Sequence, residues 1–251
     1  MILSETGCRF SGSCSRYPFA TMLVLAIDTA LDACAAGVLD TSAGRLIAQE
    51  SLPMTRGHAE ALVPLIARVM KASVVFEALD RIAVTTGPGS FTGLRVGISA
   101  ARGIGLAANK PVLGVTTLTA FAAPLVSENG TDPVIAAIDA RHDQVYYQVV
   151  GGSGTTLVRP RVAPVDQVLA ASRFGAPRIV GNAARLVADR WPPGEKPPVE
   201  VLQQSAPDIS WVAWLGAAVK PETSPARPYY LRAPDAKPPT DTLPHATAPM
   251  A

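Results

Sequence analysis

Three short segments with the length and apolar content of β-strands follow Met22. They cover residues 23–29, 33–39 and 45–52. The first is apolar almost without interruption up to Asp28, which predicts a central strand buried on both faces. Three consecutive strands at this spacing predict a meander at the start of the fold.

A helical pattern follows the three strands. Apolar residues recur at three- and four-residue spacing between Gly57 and Lys71, which predicts a helix that Pro64 should kink or shorten at its start. These apolar positions are Leu62, Leu65, Ile66 and Val69. The elements predicted next are a strand over 79–86, a helix over 92–109, a strand over 112–115 and a helix over 117–126. The order in this half is therefore β-β-β-α-β-α-β.

The same order returns more weakly after residue 132. An apolar run over 133–139 ends in Asp139, as the first strand ends in Asp28. Predicted next are strands over 144–150, 155–162 and 178–180, helices over 165–172, 182–190 and 208–219, and an extended piece over 228–232. The Pro- and Gly-rich stretch over 191–200 predicts a loop. We therefore expect two pseudo-repeated α/β halves, with a last helix that can pack back on the first half.

This order of elements resembles one ribonuclease-H-like half of the actin-like ATPase superfold. The expected fold class is α/β, with two ribonuclease-H-like halves that are each a mixed β-sheet with flanking helices. The expected boundaries are an N-terminal extension over 1–21, a first domain over 22–126, a second, smaller and degenerate domain over 127–232, and a tail over 233–251. Both end segments are expected to be disordered, and Met22 is a candidate natural start.

Charge and composition limit the classes of partner and binding site that we expect. The formal net charge is +2 over 251 residues, so no strong basic field favours autonomous nucleic-acid binding. No apolar run approaches the ~20 residues needed to cross a bilayer. The cysteines and histidines show no metal-ligand spacing, and reduced thiols in a cytosol are expected. Four arginines of the second half form either a weak RNA-binding patch or a solvated face: Arg173, Arg178, Arg185 and Arg190.

The segment from Leu79 to Gly97 contains a distinctive local pattern. A short apolar strand leads into Gly87-Pro88-Gly89, a strong turn signal, and Ser90 or Thr92 can cap the helix that follows. Free N–H groups at a helix start favour an anion, so the loop is either a phosphate site or a tight β-to-α connection without a ligand. It is not a P-loop, because the Gly-Lys-Ser/Thr ending is missing, and the spacing of its glycines excludes a dinucleotide fingerprint.

A stripe of small residues marks the predicted helix over 92–109. Interior glycines destabilise a helix by about 0.8–1 kcal/mol each relative to alanine, so another interaction must offset them. The small residues recur every four positions, at Gly93, Gly97, Ala101 and Gly105. Such a stripe lets another backbone come close, which indicates packing either on the protein's own sheet or against a partner helix.

Several segments together resemble the TsaB (YeaZ) family over about residues 22–232. They are Leu25-Ala26-Ile27-Asp28-Thr29, Arg56-Gly57-His58-Ala59-Glu60, the run from Gly87 to Arg95 with Ile98-Ser99, Gly114-Val115-Thr116-Thr117-Leu118, and Asp139-Ala140-Arg141. The long glycine-containing run is the most specific of these motifs.

The resemblance implies a non-catalytic, cytoplasmic subunit of the bacterial machinery that forms N6-threonylcarbamoyladenosine in tRNAs reading codons that begin with A. It implies dimerisation with TsaD, a catalytic paralogue that carries the metal, and a further partner in the ATPase TsaE. It also implies a homodimer when the chain is alone, contact with tRNA through the complex only, and no membrane association. The contact with TsaD is expected to be a helix bundle built from the helices over 57–71 and 92–109.

The expected sites follow from this resemblance. The partner interface is expected at Leu62, Leu65, Ile66, Val69, Gly93, Leu94, Gly97, Ala101 and Gly105. A vestigial nucleotide or anion site is a candidate at Asp28, Thr29, Gly87, Gly89, Ser90 and Asp139. No catalytic residue, metal site or cofactor is expected, because the turns after Asp28 and Asp139 lack the superfold's glycine and His58 has no second histidine on its helix. The alternative function is a free-standing enzyme of this fold, either a phosphotransferase or a glycoprotease-type peptidase.

Overall fold

A computed structural model describes residues 21–128 and 130–232 of the chain. The predicted tail over 233–251, and all of the predicted N-terminal extension except Thr21, lie outside these residues. None of the described helices is long and apolar enough to cross a membrane.

Ten strands and six α-helices make up the described fold. The first half contains β1 (Leu23–Asp28), β2 (Ala33–Asp40), β3 (Arg45–Pro53), α1 (His58–Lys71), β4 (Arg81–Gly87), α2 (Phe91–Ala108), β5 (Val112–Thr116) and α3 (Thr117–Ser127). The second half contains β6 (Val134–Asp139), β7 (Gln144–Val150), β8 (Thr156–Pro164), α4 (Val165–Leu169), β9 (Arg178–Gly181), α5 (Ala184–Ala188), β10 (Glu200–Gln203) and α6 (Ile209–Ala218). Short 3₁₀ turns cover Phe76–Ala78, Ala170–Phe174 and Pro221–Thr223.

The two halves have the same sheet topology. The first sheet has the order β3-β2-β1-β4-β5 and the second β8-β7-β6-β9-β10. In each, the first three strands pair antiparallel, and the last two are parallel to the first strand. This repeated 3-2-1-4-5 order confirms the predicted fold class of two ribonuclease-H-like halves.

Several predicted elements have different bounds in the structure. The loop predicted over 191–200 leads into β10, a strand of four residues that is too short to leave a clear apolar pattern. The helix predicted over 165–172 is a short α-helix continued by a 3₁₀ turn, and the piece over 228–232 contains no strand. The α1 helix continues through Pro64 as a single element.

The first sheet is covered on both faces, as the continuous apolar run of β1 predicted. Leu25 and Ile27 pack with the core side chains of α1 and α2, whereas Val24 and Ala26 on the opposite face pack with α6. All four side chains are fully buried. The first strand is therefore a central layer between helices of both halves.

Each half contributes its last helix to the other. The α6 helix follows β10 of the second sheet but packs on β1, β2 and β4 of the first, and α3 follows β5 but packs on β6 and β9 of the second. Asp208 caps the start of α6 by accepting from the Ser210 N–H at 2.8 Å. The Arg81 side chain, on β4, donates to three carbonyls near the end of α6, at 3.2, 3.2 and 3.0 Å. The exchange of helices ties the halves together.

Replacing Arg81 with methionine tests this anchoring of α6. We expect the free energy of unfolding to fall by about 1–3 kcal/mol, because the carbonyls of Gly216, Ala217 and Val219 lose their charged donor in a partly buried site. Urea denaturation measures the change. Arg45→Met is the control, since Arg45 is exposed and its guanidinium makes only a long hydrogen bond, among the described residues, to the neighbouring Leu46 carbonyl at 3.5 Å. Equal effects of the two substitutions would contradict the anchoring role.

Candidate functional site

The glycine loop between β4 and α2 packs directly against the turn that follows β1. The Ser90 N–H donates to the Ala30 carbonyl at 2.7 Å, and the Thr29 hydroxyl donates to the Gly93 carbonyl at 2.7 Å. Ser90 is the N-cap of α2, as predicted, and its hydroxyl accepts from the Gly93 N–H at 3.3 Å. These polar groups of the loop are therefore hydrogen-bonded within the chain itself.

Two glycines of this loop make the close approach feasible. A Cβ at Gly89 would overlap the carbonyl oxygen of Ala30, and a Cβ at Gly93 would overlap that of Thr29. The space in which a phosphate would have to approach these backbone atoms is filled by the β1–β2 turn. This geometry favours the second of the two interpretations of the loop, a tight connection that aims α2.

The C-terminal segment covers the same loop from outside. The Tyr229 N–H donates to the Thr86 carbonyl at 2.7 Å, and the Tyr230 ring stacks on Phe91 with 5.5 Å between centroids. Further along α2, Arg102 donates to the Ala226 carbonyl at 2.6 Å. This segment was predicted only as a short extended piece, and its role at the site was missed because its contacts lie more than a hundred residues away in sequence.

Asp28 is the most perturbed acid of the region. Its side chain is fully buried, and burial raises the pKa of Asp28 to about 6 from 3.8. Hydrogen bonds from the Thr85 hydroxyl at 2.6 Å and the Ala30 N–H at 3.1 Å, together with the nearby His58, act in the opposite direction. Its Oδ2 atom is buried and has no hydrogen-bond partner among the residues that the structure describes. Asp28 is thus held as a structural carboxyl beneath the turn.

Asp139 occupies the equivalent place in the second half but a different environment. It is exposed, accepts from the Arg141 N–H at 2.7 Å, and its own N–H donates to the Asn182 side chain at 2.8 Å. Within residues 21–128 and 130–232, no hydrogen bond connects Asp139 with Asp28 or with the glycine loop. The six residues predicted as a vestigial site are therefore divided between a packed cluster in the first half and a separate turn.

His58 serves as a local hydrogen-bonding group at the start of α1. Its Nε2 atom lies 3.1 Å from the Leu31 carbonyl. In the part of the chain that the structure describes, no group of three or more His, Cys, Asp or Glu side chains is arranged to hold a metal ion.

The residues predicted to contact a partner are buried inside this chain. Side chains of α1 and α2 that were assigned to an interface point at the first sheet instead: Leu62, Leu65, Ile66, Val69, Leu94 and Ala101. The stripe glycines follow the same pattern, because a Cβ at Gly97 would overlap the Thr29 hydroxyl and one at Gly105 would overlap Val112. The prediction for these residues, with Gly93, is corrected: the smooth stripe lets α2 approach its own sheet, and only the opposite faces of the helices are exposed.

The exposed faces of α1 and α2 form a weakly charged surface. We define the α1–α2 face by its exposed residues Ala59, Val63, Ala67, Ser99, Gly103, Leu106 and Ala107. Val63 is 63% exposed and Leu106 is 86% exposed, so each helix presents one large aliphatic side chain on this face. Leu106 lies nine residues after Gly97, about half a turn from the buried stripe. A large apolar residue on the side of α2 opposite the buried stripe was the feature of the sequence that indicated an exposed apolar face.

The comparisons with known proteins agree on one family. Residues 48–199 match the family model for TsaD, tRNA N6-adenosine threonylcarbamoyltransferase. The chain is 38% identical to the tRNA threonylcarbamoyladenosine biosynthesis protein TsaB of Escherichia coli (strain K12) over 127 residues, 50% of this chain and 54% of that protein. The chain thus spans about half the length of this curated relative.

Two other matches extend over most of the chain. An uncharacterized protein of Mycobacterium tuberculosis (strain ATCC 25618 / H37Rv) is 34% identical over 219 residues, which are 86% of this chain and 94% of that protein. The solved structure of YeaZ from Pseudomonas aeruginosa superposes with a TM-score of 0.69 at 30% identity and covers 84% of this chain and 100% of that one.

Gly93→Ala tests whether the glycine stripe serves internal packing. We expect a loss of about 1–3 kcal/mol in the free energy of unfolding, because the added methyl group collides with backbone at Thr29. Gly103→Ala on the same helix is the control: a Cβ there meets nothing within 4 Å, and alanine should stabilise the helix by about 0.8–1 kcal/mol. Opposite signs in denaturant unfolding support the packing role, and a stabilising Gly93→Ala would contradict it.

Asp28→Asn tests the buried carboxyl. A pKa raised from 3.8 to about 6 means that Asp28 contributes stability below pH 4, which is lost as the pH rises through 6. The cost of the charged form at neutral pH is about 3 kcal/mol on this basis. We therefore expect the stability of the Asn variant relative to the native chain to increase between pH 4 and pH 7, measured by urea unfolding. Parallel pH profiles of the two proteins would contradict the assignment.

Proposed function

Because this chain belongs to the TsaB (YeaZ) family, we propose that it acts in the biosynthesis of threonylcarbamoyladenosine in tRNA as an accessory subunit. In this proposal a TsaD-type paralogue is its obligatory partner and holds the metal and the transferase chemistry. A TsaE-type ATPase joins the complex in the cytoplasm, and tRNA is engaged through the assembly. The observation that carries the proposal is the α1–α2 face.

The arginine side chains of α1 and α2 contact other parts of this chain. This arrangement supports an apolar contact between the α1–α2 face and a partner. Arg68 points toward β3, where it forms a bidentate ion pair with Glu50 whose shorter distance is 2.6 Å. Val63 lies five residues earlier, more than a third of a turn away, on the flank toward α2. Since α1 packs on β2 and β3 while α2 packs on β4, this flank lines the seam between the helices.

The charged side chains of α2 also contact other parts of this chain. Arg102 and Arg95 face the C-terminal segment, where Arg102 binds the Ala226 carbonyl and Arg95 contacts Tyr230 and lies 3.8 Å from the Phe91 ring centroid. That segment runs beside β5, on the side of α2 remote from α1. The small residues Ser99, Gly103 and Ala107 are exposed at four-residue spacing on the outer side of α2, where a partner helix can approach closely.

The occupant of this face is proposed to be a helix pair of a TsaD-type paralogue with the same fold. The two helices present small side chains together with the aliphatic side chains of Val63 and Leu106. An equivalent pair of helices can pack against them and form a four-helix contact. Glu60 and Lys71 lie exposed at opposite ends of α1 and would form a polar rim. A second copy of this chain is proposed to use the same face when the paralogue is absent.

The accessory role is supported by the way the glycine loop is used. A phosphotransferase of this superfold holds its nucleotide between the two halves, with backbone at the strand ends close to phosphate. Here the Ser90 N–H is bound to Ala30 and the C-terminal segment lies over Gly87. No observation in the described residues favours the alternative of a free-standing phosphotransferase or peptidase.

Val63→Asp and Leu106→Asp test the α1–α2 face. We expect either substitution to weaken binding of the TsaD-type paralogue from the same organism by at least about tenfold, because a charge must be desolvated in an apolar contact. Titration calorimetry measures the binding, and a reconstituted tRNA modification assay with the TsaD- and TsaE-type proteins measures the consequence. The thermal stability of each variant should stay unchanged, since both side chains are exposed.

Val199→Asp is the matched control for these variants. Val199 is 58% exposed and lies in the second half, before β10. It should leave pairing and tRNA modification at the native level. Native pairing by Val63→Asp and Leu106→Asp, or an equal loss by Val199→Asp, would exclude the α1–α2 face as the contact.

A further inference from the structure

A second candidate site lies in the second half, on elements that share no residue with the α1–α2 face or the glycine loop. An open pocket of about 260 Å³ is lined by β7, the edge strand β8 and the α4 region with its 3₁₀ turn. Tyr147 and Ala171 are both 5% exposed and form its floor. Gln167, Arg161 and Arg173 are exposed and form its rim. The pocket therefore combines an apolar base with a basic opening.

In the part of the chain that the structure describes, neither rim arginine is paired with a carboxylate. Two other arginines of the second half are paired: Arg178 with Glu128 and Glu200, and Arg190 with Asp143 at 2.6 Å. Among the described residues, no Asp or Glu oxygen lies within salt-bridge distance of Arg161 or Arg173, and no acidic residue lines the pocket. Two guanidinium groups on one opening make it locally positive although the chain carries a net charge of only +2.

The rim is also partly ordered before any ligand binds. The Arg173 guanidinium carbon lies 4.7 Å from the centroid of the Phe174 ring, so the aromatic face holds the planar group by a cation–π contact. A guanidinium held by its face keeps its N–H groups free at the edge to donate. Gln167 adds an amide that can donate or accept beside them.

The chemistry of this rim selects its ligand. Guanidinium groups bind phosphate through paired, charge-assisted hydrogen bonds, and two of them suit a group with several anionic oxygens. The apolar floor beneath can accept part of the sugar or base that a phosphate ester carries, and the volume lies just below the usual range of ligand pockets. We propose that the pocket between Arg161 and Arg173 binds a phosphate ester, supplied either by a free nucleotide or by the backbone of an RNA.

Binding of two probes to the full chain tests the site. Adenosine 5′-monophosphate is titrated by calorimetry, and a short fluorescein-labelled single-stranded RNA by fluorescence polarisation. We expect at least one probe to bind, and the double substitution Arg161→Gln with Arg173→Gln to weaken it by about tenfold or more, since each charged hydrogen bond lost costs at least that factor. Both side chains are exposed, so the variant should retain the native thermal unfolding curve.

Arg185→Gln is the control, because this exposed arginine belongs to α5, which packs on β9 and β10 at the opposite edge of the same sheet. It removes one charge but leaves the pocket intact and should change affinity less than twofold. Binding of the monophosphate identifies a free nucleotide as a source, and binding of RNA alone identifies the phosphodiester backbone. Failure of both probes to bind, or an equal loss with Arg185→Gln, overturns the proposal. These outcomes do not depend on the TsaD-type partner.

Discussion

The close approach of α2 to the turn after β1 determines the shape of the first half. Gly89 and Gly93 bring backbone atoms of the loop and helix against the carbonyls of Ala30 and Thr29, and no side chain fits between them. This contact fixes the direction in which α2 leaves the sheet. It also buries Asp28 beneath the turn, where burial raises the pKa of its carboxyl. The glycines that destabilise the helix in isolation are thus offset by backbone packing.

The same contact leaves little room for a phosphate group at the glycine loop. Polar groups at the strand ends, which are the usual place for a ligand in such sheets, are bound to each other and to the C-terminal segment. What remains exposed on the first half is the outer side of its two long helices. A chain whose glycine loop packs on its own turn and whose long helices expose aliphatic side chains is suited to the binding of another protein that we propose above.

Much of the fold could be predicted from the sequence because its main signals are local. The apolar run of β1, the three-four spacing of α1 and the cap at Ser90 each depend on neighbouring residues, and the repeat of the element order gave both halves. The orientation of α2 could not be predicted in this way. Its stripe of small residues fits both an internal and an external contact, and only the position of Thr29, more than sixty residues earlier, decides between them. The C-terminal segment was missed for the same reason, since its contacts lie more than a hundred residues away in the chain.

The exposed side of the two long helices is the part of this structure on which the proposed function depends. Hydrogen–deuterium exchange of the full chain, recorded alone and with a saturating amount of the TsaD-type paralogue, examines that side without altering any residue. We expect slower exchange over α1 and α2 in the complex, and unchanged exchange over β8 and α4 in the second half. Slower exchange confined to the second half, with α1 and α2 unaffected, would contradict it.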